Sequence, residues 1–433
     1  MTLYLILHTS WSIAGVIFIL AGGLQPQSRW AWLMAMVVSP SLATLLYLLT
    51  SRGECGVEIR SHEPHLLGLQ RLLQNCFDAP VSGHNMLRVF HNADATFISI
   101  IRDLQRAHHE IIIEYYIIDN DSLAETIVAL LCRRARAGVR VQIIYDRIGS
   151  WRISKSMLTL MRQSGVVITP YGPLKFPYLT PMLHRRDHRK MILIDGCVIY
   201  LGGVNIAKRY LGRDKMGLWR DDHLRIEGDA AYNIRCRVNP KLFKSRPRRV
   251  RGLCPVQVVY GSEYSAGKAQ EYALIEAIAL ARHSLRIATP YFAPPESLLD
   301  AICAAAVRGV RVELVTSLRP DVRLMGVAAR PYLRRCAECG AEVYGYAGGV
   351  LHSKTLIVDD RIVVIGSVNL DYRSLYYNLE LSAFVYNRAI AQECAQQFER
   401  DVERSVKTTL SDLKPSFIGR IGEGVVSLLV PVL

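Results

Sequence analysis

The chain has 433 residues, half of them hydrophobic, which excludes a largely disordered protein and allows two or three domains. Its 53 Lys and Arg outnumber 38 Asp and Glu, and the resulting +15 formal charge favours polyanionic partners, either nucleic acid or an acidic membrane surface, without choosing between them. Ten cysteines without framework spacing, including a lone C-x-x-C at Cys336 and Cys339, point to reduced structural thiols and imply no metal.

In chain order, residues 1–52 read as a membrane anchor of two helices. Leu3 to Gly23 and Trp30 to Thr50 are apolar runs of about the ~20 residues that a spanning helix requires. No basic stretch precedes Arg29, so a cleaved secretory signal is disfavoured. Arg52 and Arg60 follow the second run, which predicts a hairpin with the main body on the cytoplasmic side.

The rest is one unit written twice. Residues 85–230 should form a first lobe, 231–254 a basic linker, 255–405 a second lobe and 406–433 an apolar tail. His188-Arg-Lys190-Met-Ile-Leu-Ile-Asp195 is followed by Gly202-Gly203-Val-Asn205, and the pattern recurs as His352-Ser-Lys354-Thr-Leu-Ile-Val-Asp359 and Gly366-Ser367-Val-Asn369. Upstream, Ala135 to Ile144 resembles Ala306 to Val315. Leu123 to Gly138 carries apolar residues at helical spacing and Val139 to Tyr145 is a short β-branched run, so helices alternate with strands. The expectation is an α/β fold of two pseudo-symmetric α/β/α sandwich lobes about a pseudo-twofold axis, preceded by a transmembrane helix pair. Between the lobes, the basic run Lys241 to Arg251 reads as an exposed linker, with contact to anionic headgroups as its functional reading.

Alternate residues of a strand share a face, so His188 points with Lys190 and His352 with Lys354. Each returning strand ends in a Gly-rich corner that presents Asn205 or Asn369. Two imidazoles, two ammonium groups and two amides would therefore face one cavity. That inventory suits phosphodiester transfer without a metal or other cofactor. Lys190, Lys354, Asn205, Ser367 and Asn369 would hold phosphate oxygens, while one histidine attacks phosphorus and the other moves protons. Asp195 and Asp359 complete the catalytic motif by position, although their place at turns favours a structural role. Asp221 and Glu380 are the candidate carboxylates that orient the two histidines.

These motifs resemble the phospholipase D superfamily across about residues 85–405, and more closely the bacterial cardiolipin synthases. Glu114-Tyr-Tyr116, Gly149-Ser-Trp151, Trp219-Arg-Asp221, Pro290-Tyr-Phe-Ala-Pro294 and Asn378-Leu-Glu380 carry the finer likeness, as does the apolar tail from Ile418. The resemblance implies transfer of a phosphatidyl group from phosphatidylglycerol to the headgroup hydroxyl of a second phospholipid, with glycerol released. Carried over by position, His188 would form a phosphohistidine and His352 would act as acid and base, though pseudo-symmetry leaves the reverse open. It also implies anionic phospholipid partners, no nucleic acid, and a multi-pass place in the bacterial inner membrane with a cytoplasmic catalytic domain. The family's Gly at 203 is present. Arg235-Cys-Arg-Val-Asn-Pro240 departs from it, which bears on acceptor choice. A phospholipase D-type hydrolase, a membrane-tethered nuclease and a non-catalytic lipid-binding scaffold are the competing readings.

Overall fold

A computed structural model describes residues 68–172, 185–212, 216–239, 252–261 and 268–428, with 250, 430 and scattered positions within 13–43. The chain divides into a small unit of residues 1–56 and 174–185 and a large unit holding nearly all the remainder. In the small unit the described residues at 13–19 and 32–36 are helical, and Ile19, Met36 and Ala43 bury against one another. Most of the expected pair Leu3 to Gly23 and Trp30 to Thr50 lies outside the described residues. Among the described residues no helix is long and apolar enough to cross a membrane.

Among the described residues the large unit contains two large sheets and two short two-stranded ladders. The first lobe supplies β1 (Asn85–Phe90), β2 (Glu110–Tyr115), β3 (Arg140–Asp146), β4 (Val167–Tyr171), β5 (Lys190–Ile194), β6 (Val198–Gly202), the short β7 (Trp219–Arg220) and β8 (His223–Gly228). The second supplies β9 (Val256–Tyr260), β10 (Ser284–Ala288), β11 (Phe292–Ala293), β12 (Arg311–Ser317), β13 (Glu342–Tyr346), β14 (Val350–Leu351), β15 (Thr355–Val358), β16 (Ile362–Gly366), β17 (Leu370–Asp371), β18 (Leu381–Val385) and β19 (Ser405–Thr408). The first sheet runs β1-β8-β6-β5-β2-β3-β4 and the second β9-β18-β16-β15-β10-β12-β13, with β19 added at its edge; the ladders pair β11 with β17 and β14 with β7. The two orders are the same permutation, so the sequence repeat is a repeat of topology.

Parallel neighbours need a crossover helix. Ser122–Arg136 bridges β2 and β3, and Glu296–Val307 bridges β10 and β12. Asp121 starts the first of these by accepting from Leu123 N and Ala124 N at 3.0 Å. Gly138 ends it at φ +90°, a conformation that a side chain disfavours.

The apolar run of β5 is buried on both faces, and its period of two decides what covers each. Ile192 and Ile194 turn outward into a core with Ile127, Leu131 and Ile100 of the helices. Met191 and Leu193 turn inward and meet Ile357, Val363, Ile365, Ala383 and Val385 of the other lobe. The inner layer is thus shared: sheet packs on sheet, with helices Asp229–Val238 and Arg388–Glu403 filling the flanks. This differs from two separate α/β/α sandwiches, because each lobe buries its inner face against its twin. A buried Leu or Ile is worth roughly 1.5–3 kcal/mol there. The helix Asp229–Val238 also carries the first lobe past the expected boundary at 230. Its Arg235 is buried and its Nε donates to Glu110 Oε1 at 2.6 Å, so the linker reading does not hold at these residues. The basic run from 241 lies almost wholly outside the described residues.

Candidate active site

β5 and β15 deliver the two His-x-Lys segments to the junction of the lobes. There each segment is hydrogen-bonded to the other lobe. His188 N donates to Leu379 O at 3.0 Å, and Leu379 N donates to Arg186 O at 2.8 Å. His352 N donates to Arg220 O at 2.7 Å, just after β14 pairs with β7. Arg189 and Ser353, each between a His and its Lys, stitch the same seam, as does Thr355 just after the second Lys. Arg189 binds Asp187, stacks 4.2 Å over the Tyr260 ring and donates to Gly261 O, while Ser353 and Thr355 donate to Asp222.

This backbone exchange sets which carboxylate meets which imidazole. His188 Nδ1 lies 2.9 Å from Glu380 Oε1, and His352 Nδ1 lies 2.6 Å from Asp221 Oδ2. Glu380 and Asp221 are both fully buried. Because Nδ1 is occupied on each ring, Nε2 is the nitrogen left for phosphorus or for a proton. His352 packs against the adjoining rings of Tyr210 and Trp219, with centroids 5.5 and 5.4 Å away, and Tyr116 lies edge-on to His188 at 4.8 Å.

Lys190 Nζ donates to His188 O at 2.6 Å and lies 5.3 Å from the Tyr116 ring centre. Lys354 Nζ donates to His352 O and lies 2.8 Å from His352 Nδ1. Burial drives every one of these groups toward its neutral form. It brings Lys190 down to about 7 against the attraction of Glu380, and it lowers Lys354 as well. His188 falls well below its ordinary value through burial and then through Lys190, Lys354, His352 and Arg373. His352 is lowered by burial and by Lys354, while Asp221 pulls it back up. Glu380 rises to about 8 by burial, opposed by Lys190. The charge of His352 acts on His188, so the two imidazoles share one electrostatic site. An arriving phosphate anion would favour the charged form of both lysines. Among the described residues no cluster of His, Cys, Asp and Glu is arranged to hold a metal ion.

Asp195 and Asp359 do not join this site. Each sits at the far end of its strand, five residues or roughly 16 Å from its lysine, in a left-handed turn at φ +50°. Asp195 accepts from the backbone N–H of His108, His109 and Glu110, and Asp359 from those of Arg282, His283 and Ser284. Both carboxylates therefore tie the hairpin to the loop before β2 or β10. Ser367 also departs from the expected phosphate contact: its hydroxyl donates to Glu380 and accepts from Leu381 N at 3.0 Å. Asn205 spends its carbonyl on Ile117 N and one N–H on Tyr210. Asn369 donates to Ser374 Oγ at 3.3 Å and keeps a buried, unpartnered carbonyl oxygen.

Gly203 explains the asymmetry with Ser367. A Cβ there would come within 2.1 Å of Asp221 Oδ1, so the shorter carboxylate occupies the space that a serine would need. Several residues carry no assigned role on spacing alone. Tyr116, Tyr210 and Trp219 wall the imidazoles, and Arg186 and Arg373 act on Tyr116 through charge. Tyr116 and Trp219 stand in the E-Y-Y and W-R-D triplets, whereas Tyr210 stands in neither.

A family model described as "Cardiolipin synthase, PLD-like domain" matches residues 100–222 and 274–402. A cardiolipin synthase of Geobacillus kaustophilus is 32% identical over 449 residues, covering 94% of this chain and 89% of that protein. Cardiolipin synthase 2 of Bacillus anthracis is 34% identical over 390 residues, 87% of this chain and 76% of the relative. Among solved structures, the phosphatidylserine synthase of Haemophilus influenzae superposes with a TM-score of 0.66 at 16% identity, covering 84% of this chain and all of that one. At that identity the likeness speaks to the fold alone.

Proposed function

The chain belongs to the cardiolipin synthase family of phospholipase D-like proteins, and on that premise we propose that it is a phosphatidyltransferase making cardiolipin from phosphatidylglycerol. The observation that carries the reading is the pair of imidazoles at one lobe junction, each with Nδ1 held by a buried carboxylate.

In this reading His188 Nε2 attacks the phosphorus of one phosphatidylglycerol, and the bond to the glycerol oxygen breaks. Nitrogen must be unprotonated to attack, and burial, aided by any positive charge on its neighbours, holds His188 well below its ordinary value. His352, supported by Asp221, protonates the departing glycerol. It then takes the proton from the headgroup hydroxyl of a second lipid, whose oxygen displaces His188 and forms cardiolipin. Lys190 and Lys354 stabilise the charge that builds on the non-bridging oxygens. The partners are then anionic phospholipids, and the location a bacterial inner membrane with the catalytic unit on the cytoplasmic side.

Purified protein supplied with phosphatidylglycerol in detergent should yield cardiolipin and glycerol in equal amounts. Phosphatidic acid as the sole lipid product would assign a hydrolase, in which water replaces the second lipid.

A further inference from the structure

A surface helix normally turns its apolar face inward and its charges to water. The helix Phe417–Ser427 does the opposite. Phe417 is 79% exposed, Ile418 80%, Ile421 56% and Val425 57%, with Leu428 just beyond at 78%. At 3.6 residues per turn these five fall within an arc of about 100°. The one buried residue of the helix is Glu423, on the opposite side. Its carboxylate is held by Arg334 Nη2 at 3.0 Å and Arg330 Nε at 3.4 Å. The same two arginines donate to the carbonyls of Leu413 and Asp412, which pins the turn that leads into the helix. The polar side is the docked side, and the apolar side is presented outward.

We propose that this outward face is a lipid-docking surface that seats the catalytic unit against an anionic bilayer. The helix is placed for it. Beyond its end, Val430 packs on Ala293, Met325 and Ala328, with Tyr291 and Tyr372 alongside. Ala293 pairs with Asp371 in the β11–β17 ladder, two residues from Asn369. Tyr291 OH donates to Asp321 at 2.7 Å, and the charge of Asp321 acts on His352 and Lys354. Around that residue, exposed Leu318 and Val322 alternate with exposed Arg319 and Arg323, and Lys414 and Arg420 flank the apolar face. Apolar side chains bordered by cations match an acyl layer under anionic headgroups. Gly419, Gly422 and Gly424 weaken the helix in water, whereas a lipid interface favours it. The surface rests on the lipid-transfer reading only in its choice of partner.

The test uses the full chain in vesicles of phosphatidylglycerol and phosphatidylcholine whose acyl chains are brominated. The fluorescence that Phe417→Trp adds over the wild type should be quenched relative to vesicles of unbrominated lipid. Separately, Phe417→Ser with Ile421→Ser should lower cardiolipin formation in vesicles about tenfold and leave the rate in detergent micelles unchanged. An added emission that bromine does not quench overturns the proposal; if it is also blue-shifted, another protein surface covers the face. Equal rates for the double variant and the wild type in vesicles overturn it too. Quenching is read without turnover, so failure to make cardiolipin in micelles would sink the transferase reading and not this one.

Discussion

His188 Nδ1, in the first lobe, lies 2.9 Å from Oε1 of Glu380, in the second. The reciprocal contact joins His352 to Asp221. Each of these histidines is thus positioned by a carboxylate of the opposite lobe, so neither lobe by itself orients its own His-x-Lys imidazole.

The crossed pairing makes a prediction that within-lobe pairing reverses. Acylation by diethyl pyrocarbonate requires a neutral, accessible ring nitrogen and can be read peptide by peptide. Glu380→Gln should change the modification rate of His188 and spare His352, while Asp221→Asn should do the opposite. Each variant should also lower kcat by about 10²-fold or more with little change in KM. If Glu380→Gln alters His352 instead, the crossed geometry is wrong.

Gly203→Ser offers a steric test of the same contact. The new Cβ overlaps Asp221 Oδ1, whereas the serine at 367 donates to the longer Glu380. The substitution should cost roughly 1–3 kcal/mol of stability and lower kcat by about 10- to 100-fold, read by thermal unfolding and turnover. Wild-type kinetics would show that Asp221 has room to move.

Asp195→Ala and Asp359→Ala should behave as structural variants. Each strips up to three backbone N–H groups of their acceptor and leaves alanine at φ +50°. The expected loss is about 1–3 kcal/mol of stability for each, with turnover below the melting transition kept within a few-fold of wild type. A large fall in kcat with an unchanged melting curve would return these aspartates to the chemistry.

Stability should depend on pH through Glu380. Burial lifts its carboxyl from 4.5 to about 8, so between these values the folded state holds a proton that the unfolded chain has released. A raised folded-state pKa gives stability that is fully present below 4.5 and is lost as pH climbs through about 8. Glu380→Gln is neutral throughout and escapes this loss. The difference in Tm, variant minus wild type, should therefore grow more favourable to the variant from pH 5 to pH 8.5. A flat or falling difference would show that Glu380 is ionised in the fold.

Much of this architecture could be read from residues alone. The duplicated His-x-Lys, its 164-residue offset and the apolar strands after each lysine lead directly to paired hairpins in equivalent sheets. Other features depend on tertiary contacts that no spacing encodes. A strand buried on both faces reads as one apolar run, so Leu193 against the other lobe looks the same as Ile192 against helices. Glu380 follows His352 in the chain, yet the Asp187–Leu379 bridge carries it to His188. Asp195 and Asp359 share the motif spacing, but strand length puts them at the wrong end. Arg235 resembles the start of a basic linker until Glu110 is found beneath it.

The central claim is that two lobes present one nucleophilic and one proton-moving histidine to a single phosphorus. Brief exposure of the purified chain to phosphatidylglycerol, an alkaline quench that preserves phosphohistidine, and peptide mass spectrometry would test it most directly. The account predicts a phosphatidyl adduct on His188, absent from His188→Ala, and in His352→Ala formed more slowly for want of the acid yet retained once formed, because its transfer to the second lipid lacks a base. Adducts on both histidines of the wild type, or on neither in every variant, would contradict it.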